Sequence, residues 1–190
     1  MPVDQATWEA AVRKLYGGTF AYVATAPRRH EDWRLDVLDV MRRAVDDPRG
    51  WTGLDDCPEG YSEDGEEGPS YPFEELTADV LGARLYEVEP EAAAEQLVAM
   101  AAPGCRLSNA LPLFAEGLDE LLGLARSLVS RHGEAPAFFT NVAQAYDDRH
   151  PDYDATFRTW HGLTVYVQDI GLVAVSDSEV GVYWTFAPEY

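Results

Sequence analysis

Apolar and polar positions alternate with a readable period over most of the chain, and lose it in one place. After Asp4, the residues Trp8, Ala11, Val12 and Leu15 recur at helical spacing until Gly17-Gly18. This predicts a first helix capped by the Asp4 carboxylate. Residues 19–25 (TFAYVAT) are β-branched and aromatic and predict a strand. A second helix is expected over 31–45, with Val37, Leu38, Met41, Ala44 and Val45 on its apolar stripe and acids in its first turn. The sequence Asp47-Pro48-Arg49-Gly50 stops it.

The period returns beyond residue 71. A short helical stretch is expected near 73–81, a strand at 84–88, and a helix from Pro90 that ends at Pro103-Gly104. A longer helix should run over 113–132 on Leu118, Leu121, Leu122, Ala125, Leu128 and Val129, followed by a strand at 137–140 and a helix at 141–148. Residues 163–169, 172–176 and 180–186 alternate and are separated by Gly171 and by Asp177-Ser178-Glu179. They predict a three-stranded antiparallel meander. Val165 and Val167 would share its core face with Val182, Trp184 and Phe186, while Tyr166, Gln168, Tyr183 and Thr185 point the other way. The expected architecture is α+β: a single domain over 1–190, with several helices on a mixed sheet that ends in the meander.

The exception is the stretch 51–71, WTGLDDCPEGYSEDGEEGPSY, which is rich in acid, Gly and Pro and has no period. It predicts a long acidic loop, and loops of that length are usually functional or disordered. Composition favours a folded chain around it. Of 190 residues, 46% are hydrophobic and 12% aromatic, too apolar for a disordered protein despite a formal charge of −20. The charge also argues against nucleic acid and anionic membrane as partners, since both select basic surfaces.

The charge is unevenly placed. Residues 1–45 are net +1, residues 46–95 are net −14 with 16 acids against two bases, and residues 96–190 are net −7. General acidic adaptation of a surface spreads charge along the whole chain, so this distribution points to a local role. Asp55, Asp56, Glu59, Glu63, Asp64, Glu66 and Glu67 lie within 13 residues with no base among them. They are the expected partner-binding residues. The expected partner is a basic protein, because opposite charge speeds encounter and selects partners. Inhibitors, immunity proteins and nucleic-acid mimics are the function class this suggests.

Candidate chemistry is sparse. There is no G-x-G-x-x-G, no G-x-x-x-x-G-K-[ST] and no G-x-S-x-G, and Lys14 is the only lysine. Asp55, Gly60 and Glu66 match positions 1, 6 and 12 of a calcium loop, but Cys57 and Pro58 occupy positions 3 and 4 and no helix pair flanks it. No cofactor and no resident metal are expected. The one enzymatic alternative is a metal-dependent hydrolase built on Asp147 to Asp154, which includes Asp148, His150 and Asp152, together with His161. Against it, Pro151 breaks any continuous helix through the group, and Asp-capped polar turns have the same composition. Cys57 and Cys105 stand in no metal or redox spacing and are expected to be free thiols in a cytoplasmic protein.

Overall fold

The computed structural model describes residues 3–45, 51–52, 70–155 and 158–187. Helix α1 (Gln5–Tyr16) begins where its cap predicts, with Thr7 N–H donating to Asp4 Oδ1 at 2.8 Å, and ends at Gly17. Strand β1 (Ala21–Pro27) leads to α2 (Trp33–Met41), which Asp32 caps. After β2 (Trp51–Thr52) come α3 (Ala78–Arg84), β3 (Tyr86–Val88) and α4 (Pro90–Ala99), with Pro90 in the first turn, where its missing N–H has no partner to lose. The short α5 (Leu107–Ala110) precedes α6 (Leu118–Ser130); β4 (Ala137–Thr140), β5 (Gln168–Val175) and β6 (Glu179–Ala187) complete the order.

The strands form one sheet of order β2-β1-β6-β5-β4-β3. The α+β class holds, but every neighbouring pair is antiparallel, where a mixed sheet was expected. The N-terminal β1 pairs with the C-terminal β6 over seven residue pairs, from Ala21↔Thr185 to Pro27↔Glu179. Both faces are covered. Ala21, Val23, Ile170, Leu172, Ala174 and Tyr183 pack with α1, α4 and α6. On the other face Tyr22, Val173, Val182, Trp184 and Phe186 pack with α2, α3 and the Phe73–Leu76 connection.

Two-sided cover changes the terminal strands. Trp184 and Phe186 are core residues as the alternation predicts, with Trp184 fully buried. Tyr183 and Thr185 are buried as well, because helices lie on their side of the sheet. The three-stranded meander is replaced by a single β5–β6 hairpin. Residues 163–167 are a loop, with Val165 and Val167 60% and 66% exposed and Tyr166 buried, stacked on Phe186 at 4.8 Å between centroids. The cause is Asp169. Its Oδ2 accepts from Leu163 N–H at 2.7 Å and Thr164 N–H at 2.5 Å, taking those groups away from a ladder. Gly171 is a mid-strand residue, not a turn. It pairs with Trp184, whose ring would lie 1.9 Å from any Cβ there, so only glycine admits the indole.

Candidate functional site

The acidic run 46–95 divides in two. Its described part, from residue 70 onward, carries seven acids, and five of them face bases. Arg84 lies 3.5 Å from Glu74. Packing of α4 on α6 brings Arg126 to Glu91. The start of α4 is tied to the later turn by Glu89 N–H donating to the Arg149 carbonyl at 2.9 Å. That link places Arg149 on Glu87, and His150 Nε2 at 3.0 Å from Glu95 and Nδ1 at 3.8 Å from Glu89. The Arg126 hydrogen bond holds the Glu91 carboxyl below its ordinary range. The Glu95 hydrogen bond raises the His150 pKa, with burial acting against it.

The other part, residues 53–69, lies outside the described residues. It contains all seven expected partner-binding acids (Asp55, Asp56, Glu59, Glu63, Asp64, Glu66 and Glu67), the calcium-loop match and Cys57. The remaining thiol, Cys105, is free and buried, and burial pushes its pKa up, away from the reactive thiolate.

The expected metal-ligand group does not converge. His150 is engaged by Glu95, while His161 Nε2 lies 3.0 Å from the Tyr86 hydroxyl. The carboxylates of the stretch face backbone N–H groups: Asp148 accepts from His150 N–H at 2.9 Å, Asp152 from Asp154 N–H at 2.8 Å, and Asp154 from Ser108 N–H at 2.8 Å. The first two form local turns, the role short acidic side chains take where backbone donors are otherwise unmatched, and the third ties the stretch to the start of α5. Among the described residues, no three His, Cys, Asp or Glu side chains are arranged to hold a metal.

Three buried polar centres were not legible in the sequence. Asp36 accepts from Arg28 Nε at 2.9 Å, from the N–H groups of Arg29 and His30, and from His30 Nδ1 at 2.7 Å. Burial works to raise its pKa, but the hydrogen bonds from His30, Arg29 and Arg28 outweigh it and the net shift is downward. Asp169 is equally buried and shifts upward: burial dominates, and its donors (Thr164, Leu163 and Asn141) are neutral. In the third centre Arg131 holds Glu179 through two bonds of 2.9 and 3.0 Å and lies 4.8 Å over the Trp8 ring. Beside it, His132 Nε2 stands 2.9 Å from the Tyr183 hydroxyl. The side chains of Asp36 and His132 are almost wholly shut off from solvent, and these centres join elements: residues 28–30 to α2, the 161–164 loop to β5, and α6 to β6.

No family model, curated protein or solved structure matches the chain. Among the described residues, no helix is long and apolar enough to cross a membrane.

Proposed function

We propose that this is a non-catalytic acidic binding protein that engages a basic protein partner through Asp55, Asp56, Glu59, Glu63, Asp64, Glu66 and Glu67. One contrast carries the reading. The described acids of the same run mostly face arginine or histidine, whereas the seven acids of residues 55–67 have no base between them in sequence. A concentrated field of one sign raises the encounter rate with an oppositely charged surface and repels like-charged ones. It is the kind of charge pattern by which an inhibitor or immunity protein selects a basic target.

The test is a capture experiment with the wild type and a variant neutralised at Glu63, Asp64, Glu66 and Glu67, each used as bait in native lysate at low salt. A basic protein held by the wild type, released by salt and absent from the variant is the expected result. The same proteins on both baits would overturn the proposal.

A further inference from the structure

A cleft of about 560 Å³ opens where the helical layer meets one end of the central strands. Its walls come from the C-terminal ends of α1 and α4, the left-handed turn Gly104–Cys105 (φ 70° and 48°), residues 113–114, and the ends of β5 and β6. The volume lies within the roughly 300–1,000 Å³ range of small-molecule sites. Leu15, Met100, Ala102, Phe114 and Phe186 make the lining mostly apolar, and the rim carries Leu113 with 58% of its surface exposed. Neutral polar groups reach it from Thr19, Gln168 and Thr185.

The electrostatics restrict what this cleft takes. Among the described residues its one charged lining residue, Lys14, is already matched by Glu116 at 2.7 Å. Two helix C-termini face it: that of α1 carries Arg13 and Lys14 in its last turn, whereas that of α4 has no basic residue there, so an anion entering at the α4 end meets repulsion. The whole chain adds a formal −20 to the same sign. A cation, in turn, finds no carboxylate among the described lining residues. A charge moved into an apolar site without a counter-ion is strongly disfavoured. We infer that the cleft is a binding site for an uncharged, largely apolar small organic molecule, oriented by hydrogen bonds to Gln168 and Thr185.

The test uses two fluorescent probes of similar shape, neutral N-phenyl-1-naphthylamine and anionic 8-anilinonaphthalene-1-sulfonate, titrated into the full chain. The neutral probe should bind one per chain, roughly tenfold or more tighter than the anionic one, and should raise the melting temperature. Ala102→Phe should abolish binding by filling the cleft. Gly18→Trp is the second variant: residue 18 lines the cleft, and a Cβ added there meets nothing within 4 Å, so the fold is kept while the opening is crowded. A neutral probe bound equally by the wild type and Gly18→Trp would overturn the inference, as would equal affinity for the two probes. So would a wild-type dimer that Gly18→Trp dissolves, or binding that appears only after removal of residues 188–190, since each assigns the cleft to protein instead.

Discussion

Residues 55–67 and residues 74–95 belong to one run of negative charge but stand in different company. The later acids sit on the connection before α3, on α3 and β3, and at the cap and along the body of α4, where packing delivers Arg84, Arg126, Arg149 and His150 to five of them. Those bases come from as far as 62 positions along the chain, as with Arg149 and Glu87. The earlier seven have only Gly, Pro, Cys, Tyr and Ser between them. The difference teaches that most of the negative charge on residues 74–95 is matched by bases the fold delivers, while the earlier cluster brings no base of its own. The buried acids extend the same contrast. Asp36 and Asp169 are each surrounded by donors, and neither offers charge to a partner.

The largest effects should come from the interior. Trp184 is fully buried and stacked edge-on to Phe73, and Trp184→Ala should cost about 3–5 kcal/mol in urea unfolding. Asp36→Ala should approach the same scale, about 3–5 kcal/mol, because it leaves the partly buried Arg28 guanidinium without its counter-ion. A loss below about 1 kcal/mol would break the distinction between scaffold acids and the 55–67 cluster.

The two buried carboxylates should respond to pH with opposite slopes. The folded-state pKa of Asp36 lies below its ordinary 3.8, so its contribution is present above that value and lost as pH falls through the folded pKa. The cost of Asp36→Ala therefore grows as pH rises through the folded pKa towards 3.8 and is level above it. The folded-state pKa of Asp169 lies above 3.8, so the native state holds its proton longer, and ionisation lowers wild-type stability as pH rises from 3.8 through the folded pKa. Asp169→Asn has no such proton to lose, and its deficit shrinks over the same range. Denaturation midpoints at several pH values decide this, and parallel slopes would contradict it.

Smaller effects lie on the surface. Glu91→Gln removes an exposed ion pair with Arg126 and should change stability by less than about 1 kcal/mol, with the difference vanishing in high salt.

Local signals in the sequence carry a good part of this architecture. The Asp4 cap, the Gly17 stop and Pro90 place α1 and α4, and the Asp177-Ser178-Glu179 turn places the β5–β6 hairpin. Trp184 and Phe186 follow from alternation alone. What was not legible depends on contacts between distant residues. Asp169 reads as a polar residue in a strand, yet its burial and the two N–H groups it accepts turn 163–167 into a loop and expose Val165 and Val167. Tyr183 and Thr185 read as an open face because nothing local announces the helices that cover them. The stretch from Asp147 to Asp154 has the composition of a metal site, and only the partners of His150 and His161, 55 and 75 residues away, show that its groups part company.

The central claim is that the acids of residues 55–67 serve a partner and not the fold. Neutralising Glu63, Asp64, Glu66 and Glu67 should leave stability unchanged or slightly raised, since like charges close together repel. The direct measurement is the association rate with the captured basic partner against ionic strength, for the wild type and this variant. Exposed charges act mainly on the on-rate and are screened by salt, so the variant should associate more slowly at low salt with a flatter salt dependence. Two identical salt slopes would contradict the account.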